Sequence, residues 1–189
     1  MKRRVYLDHL SGGPLASEVR AAMRPWLEEI HGNASSLHWH GLKAREALDT
    51  AAAQCAAMIG APADDLVFTS SGTEANNLAV KGVAEAQRER GSHLILSNIE
   101  HPSIDQSVAW LEQQGFTATR VPVDGEGRLT AAAVAESVTD QTILIATHHA
   151  NHDLGTVQDL PALGAVAAER GIPLLIDATA SGGWVPVDV

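Results

Sequence analysis

Short apolar runs alternate with longer stretches of helical period along this chain, and the order of the two is its most legible feature. Residues 66–69, 93–97, 117–121, 142–146 and 173–176 have the length and residue types of strands. Helical spacing of apolar positions covers residues 18–31, 41–59, 73–90, 104–114, 131–137 and 160–170. Gly60-Ala61-Pro62, Gly91, Gly115 and Gly171-Ile172-Pro173 punctuate the junctions. Strand, helix, strand in repetition predicts an α/β fold: a mainly parallel sheet with helices on both faces. Residues 1–61 hold no strand pattern beyond Val5-Tyr6-Leu7 and read as an N-terminal helical arm, with the sheet domain over 62–189. The last predicted strand leaves a sheet edge open, and an unpaired edge invites cover by another polypeptide.

The composition suits one soluble, globular core: 45% of residues are hydrophobic and 19% charged. A formal charge of −10 with no basic patch disfavours a nucleic-acid partner and favours a small molecule or a protein. With a single cysteine, Cys55, no internal disulfide forms, and no apolar leader or membrane-length run is present, so the expected setting is the cytoplasm. Cys55 falls in the apolar helical stretch 51–59, where a buried, inert thiol is expected.

Four segments carry candidate chemistry. In Thr69-Ser70-Ser71-Gly72-Thr73-Glu74 a strand gives way to a helix, so the N–H groups of Gly72 and Thr73 face outward at a positive helix end, an arrangement that binds phosphate. The same residues read equally as a capping box, with Ser71 and Glu74 three apart. Asp177 ends the apolar run Leu174-Leu175-Ile176, where a desolvated carboxylate needs a cationic partner; the plain alternative is that it caps the next turn. His101 and Asn151 follow two other strands and so fall on the same rim of a parallel sheet, where ligands collect. A histidine before proline is also an ordinary loop residue. His148, His149 and His152 together raise a zinc site, although no cysteine or second ligand pair supports one.

Ser70 to Asn77, Glu100-His101, His149 to Gly155 and Ile176-Asp177-Ala178-Thr179, in this order and spacing, resemble the first half of the large domain of cysteine desulfurases and their class V aminotransferase relatives. The segments 6–9 and 32–38 resemble the family's N-terminal segments near the active-site mouth and dimer contact, and Gly32-Asn33 also reads as a plain turn. The resemblance implies a pyridoxal 5′-phosphate (PLP) cofactor. Gly72 and Thr73 would then hold its phosphate, His101 would stack on its ring and shuttle a proton, Asn151 would lie near its 3′-oxygen and the substrate carboxylate, and Asp177 would hold its pyridine nitrogen.

The chain departs from the family in several places. Ala180 replaces a glutamine that donates to the 3′-oxygen, His152 and Asp153 replace an asparagine and a glutamate, and the N-terminal turn reads His9-Leu10-Ser11-Gly12-Gly13. Its lysines are Lys2, Lys43 and Lys81, and Lys81 lies about 12 Å along its helix from the phosphate-binding end, too far to hold the cofactor. The sequence therefore reads as one subunit of a split, hetero-oligomeric PLP enzyme of cysteine desulfurase-like or cysteine lyase-like type, acting on a small amino acid. A second polypeptide would carry the Schiff-base lysine and the small domain. The alternatives are a catalytically degenerate homologue serving as a scaffold or regulatory partner in sulfur transfer, and a piece of a longer enzyme.

Overall fold

Residues 4–189 are described by a computed structural model. They divide into two units, one running to Val67 and including Pro186–Val189, the other Phe68–Val185.

The first unit contains helix α1 (Ser17–Glu28) and helix α2 (Trp39–Ile59), then a 3₁₀ turn at Ala63–Asp65. Gly60 ends α2 in the left-handed region, φ 72°, where a residue without Cβ meets no steric penalty. No residue of α1 is buried, and in α2 only Gly41 and Ala56 are. Cys55 is exposed, against expectation. Neighbouring residues of a helix project about 100° apart, so burying Ala56 turns Cys55 outward.

The second unit opens with α3 (Gly72–Ala86), followed by β1 (His93–Ser97), α4 (Pro102–Glu112), β2 (Thr117–Val121), α5 (Ala131–Ser137), β3 (Thr142–His148), α6 (Leu160–Arg170) and β4 (Leu174–Asp177). All strand pairs are parallel and the order is β2-β1-β3-β4. Every residue of β1 and β3 is buried, as expected of central parallel strands covered on both faces. Side chains of a strand alternate between faces. Leu94 and Leu96 accordingly pack with Val80, Ile104, Val108 and Leu111 of α3 and α4, while Ile95 packs with Val134, Leu163 and Ala167 of α5 and α6. An irregularity in the β1–β3 register beside His93 allows Ile143 and Leu144, although adjacent, to join the same core cluster.

The strand expected over residues 66–69 does not form. The segment has no strand partner among the described residues, and Val67 and Phe68 are 70% and 56% exposed. β-structure requires a neighbour to take its backbone hydrogen bonds, so strand-forming residues alone do not make a strand.

This topology fixes where a ligand can sit. From β1 the chain turns to β2 on one side and later returns to place β3 on the other, so the C-terminal ends of β1 and β3 flank a crevice at the point where the strand order reverses.

Candidate active site

His101, Asn151 and Asp177 all lie at that end of the sheet, just past β1, past β3 and at the tip of β4. Asp177 is 8% exposed, yet no lysine or arginine pairs with it among the described residues. Burial alone pushes its carboxyl up. The Thr179 hydroxyl and N–H, the Asn76 amide and the nearby His101 together outweigh burial and hold it below the usual carboxylate range. The Thr179 N–H donates to Oδ1 at 2.9 Å and Asn76 Nδ2 donates to Oδ2 at 2.8 Å. Asp177 does cap the turn after its strand, and it remains an ionised, buried acceptor.

Asn76 also donates to Ser103 Oγ at 2.9 Å, and Ser103 Oγ lies 2.7 Å from His101 Nδ1. One hydrogen-bonded path thus joins Asp177, α3, the first turn of α4 and His101. Asn76 and Ser103 were not legible as site residues. The signal in the sequence is an asparagine, a poor helix former, one turn inside a strongly periodic helix, where burial with a partner is the physical reason to tolerate it.

The start of α3 serves as both a cap and an open helix end. Ser71 Oγ accepts from the Glu74 N–H at 3.2 Å, and Glu74 Oε2 accepts from the Ser70 N–H at 2.7 Å, a reciprocal arrangement that holds the Glu74 carboxyl low, the Ser70 hydroxyl first among its causes. The N–H groups of Gly72 and Thr73 have no acceptor among the described residues. A Cβ at Gly72 would lie 2.9 Å from Thr179 Oγ1, so this helix end and the Asp177 turn meet through a contact that only glycine permits.

His101 is exposed; its ring stands edge-to-face with His152 at 5.3 Å between centroids. Thr73 and His101 border a cleft of about 590 Å³ between α3 and α4, together with Asn77, Lys81, Ser103 and Trp110. Lys81 is already engaged: its ammonium donates to Asn77 Oδ1 at 2.7 Å and lies 4.9 Å from the centre of the Trp110 ring.

Asn151 is 4% exposed and mostly committed to its own loop. Oδ1 accepts from the N–H groups of Asp153 and Leu154 at 3.0 and 2.9 Å, and Nδ2 donates to Ile99 O at 3.2 Å, tying the loop after β3 to the loop after β1. One Nδ2 proton is left for a ligand. His148 does not join a histidine cluster. Nδ1 meets Glu100 Oε1 at 2.9 Å and Nε2 meets Gln158 Nε2 at 2.9 Å, while Gln158 Oε1 accepts from the Leu129 N–H. Ser97 Oγ donates to the same Glu100 oxygen, completing a buried network beneath the rim.

The profile of the class-V aminotransferase family matches residues 5–189, and the chain belongs to that family. Cysteine desulfurase IscS of Dictyoglomus turgidum is 42% identical over all 189 residues, which correspond to 48% of that protein. The IscS of Methanosarcina thermophila is 40% identical over 98% of this chain and 46% of its own length. The chain therefore spans about half the length of the curated relatives it matches. Among solved structures, SspA in complex with cysteine superposes with a TM-score of 0.94 at 37% identity, covering 97% of this chain and 53% of that one. A NifS-like protein gives 0.95 at 27% identity, covering 99% and 52%.

The family is PLP-dependent, and the residues present fit that cofactor. An ionised buried carboxylate with no lysine or arginine partner among the described residues suits a protonated ring nitrogen, and free N–H groups at a helix end suit a phosphate.

Proposed function

We propose that this chain supplies the phosphate-, ring- and nitrogen-holding part of a PLP-dependent cysteine desulfurase-like or cysteine lyase-like site, and that a lysine-bearing second polypeptide completes it. The observation that carries the reading is the single hydrogen-bonded path from Asp177 to His101, which joins the turn touching the helix end at Gly72 to a histidine at the rim.

In this reading the N–H groups of Gly72 and Thr73, with the Thr73 hydroxyl, bind the phosphate. His101 lies against the ring and holds or moves a proton. Asp177 accepts from the ring nitrogen and keeps it cationic, and Asn151 offers its remaining N–H to the 3′-oxygen or to a small amino-acid substrate. Bound there, the cofactor supplies an electron sink for bonds at the substrate α-carbon.

Three observations support a second polypeptide. Lys81 is engaged by Asn77 and Trp110, the segment at residues 66–69 has no strand partner among the described residues, and the first unit exposes Leu7, Leu27, Leu37 and Trp39 at 86, 76, 90 and 67%. Uncovered apolar surface of this extent marks an interaction face. No helix among the described residues is long and apolar enough to cross a membrane, and the one cysteine suits a cytoplasmic assembly.

Ala180, where the family has a glutamine, favours a second reading as a degenerate scaffold in sulfur transfer. Coexpression with the lysine-bearing polypeptide separates the two. Conversion of cysteine to alanine that Asp177→Ala abolishes supports catalysis; turnover unchanged by Asp177→Ala in an intact complex supports scaffolding and refutes the catalytic reading.

A further inference from the structure

The path between Asp177 and His101 has a direction, because several of its atoms can act only as donor or only as acceptor. The Ser103 N–H can only donate, and it points at His101 Nδ1 at 3.1 Å. A carboxylate can only accept, so the Asn76 atom facing Asp177 Oδ2 at 2.8 Å is the amide nitrogen. That nitrogen has two protons, one for Asp177 and one for Ser103 Oγ at 2.9 Å. Having accepted from Asn76, the Ser103 oxygen keeps its own proton for His101 Nδ1, 2.7 Å away. Nδ1 therefore receives two donors and has no room for a proton of its own.

We propose that Asn76 and Ser103 are positioning residues that hold neutral His101 as the Nε2–H tautomer, so that at Nε2 the neutral ring presents a hydrogen-bond donor and not a base. The assignment is specific to the residues present. An alanine at position 103 would leave only the backbone donor, and a leucine at position 76 would leave the serine hydroxyl free to turn. Asn76 and Ser103 are 8% and 7% exposed, so solvent does not replace these bonds. The ring's exposed side meets His152, edge to face.

The proposal rests on the reading of His101 as the ring-facing residue of a PLP site, and its test is independent of cofactor. In the ¹⁵N-labelled chain without PLP, long-range ¹H–¹⁵N spectra of the imidazoles report which ring nitrogen carries the proton. His101 is expected to be protonated at Nε2. Ser103→Ala removes one donor of two and lowers the ratio of Nε2–H to Nδ1–H by about fivefold, the factor one neutral hydrogen bond supplies. Asn76→Leu shifts it in the same direction, and Ser103→Thr, which keeps the hydroxyl, restores it.

A wild-type His101 protonated at Nδ1, or a ratio unchanged in both Ser103→Ala and Asn76→Leu, overturns the positioning role whatever the chain does with PLP. The expected shift in a chain whose complex neither binds PLP nor turns over cysteine keeps the tautomer assignment and overturns the functional reading.

Discussion

Replacing Gly72 with alanine sets two opposing effects against each other, and the structure decides the sign. Gly72 is the first residue of α3 and does not have positive φ, so relief of glycine's backbone entropy alone favours alanine by about 0.5–1 kcal/mol. The new Cβ would lie 2.9 Å from Thr179 Oγ1 and 3.5 Å from its Cγ2. Thr179, whose N–H holds Asp177 Oδ1 at 2.9 Å, must turn its side chain away. Forcing a packed side chain from its place costs about 1–3 kcal/mol, which at its midpoint outweighs the entropy gain, so Gly72→Ala destabilises by about 1 kcal/mol and lowers Tm by about 2–4 °C. Urea and thermal unfolding of the chain measure this directly.

Two companion variants isolate the cause. Gly82 lies in the same helix with open space around it, and Gly82→Ala stabilises by about 0.5–1 kcal/mol. In a Thr179→Ala background, Gly72→Ala no longer meets the hydroxyl and becomes neutral or stabilising. Asp177 titrates lower in the folded chain than its ordinary 3.8, so its stabilisation is complete above that value and is lost as pH falls below it toward the lower folded value. If Gly72→Ala stabilises as much as Gly82→Ala, the proposed contact between helix end and carboxylate turn is wrong.

Other consequences follow from the same geometry. His93 is buried between Thr142 and Thr119, and burial lowers its pKa below 6.5, so stability is complete above that value and declines as pH falls through it; His93→Gln removes this component of the acid slope in urea melts at pH 5 to 7. Ile145 is fully buried in β3, and Ile145→Ala costs about 2–5 kcal/mol by denaturant unfolding, against under about 0.5 for exposed Glu89→Ala. Removing the His148 ring strips Glu100 of a buried donor, so His148→Ala destabilises by about 2–4 kcal/mol and loosens the loop carrying His101, read as faster amide exchange at Ile99 and Glu100.

The sheet was readable in the sequence because its inner strands are continuous apolar runs, and β1 and β2 fall on the residues that periodicity indicated. Residues 66–69 misled for the opposite reason: strand-forming residues are a local property, and pairing is not. Cys55 misled because an alanine-rich helix gives little sign of which face is buried. The open helix end at Gly72 and Thr73 and the rim positions of His101 and Asp177 were legible from motif and strand order. Asn76, Ser103 and Thr179 were not, since their importance lies in hydrogen bonds spanning up to 101 positions of sequence. The zinc alternative raised by His148 and its neighbours stayed open in the sequence because it does not show that both His148 ring nitrogens already have partners.

The most direct test of the account titrates PLP into the ¹⁵N-labelled chain and follows the backbone amides of Gly72 and Thr73 together with the side-chain amide of Asn76 beside Asp177. One molecule held at both ends moves all three with a single shared Kd, and Asp177→Asn weakens that Kd by about 10- to 100-fold, the loss of one charge-assisted bond. If the helix end and the Asp177 side respond with different affinities, or only one of them responds, they do not form one cofactor site.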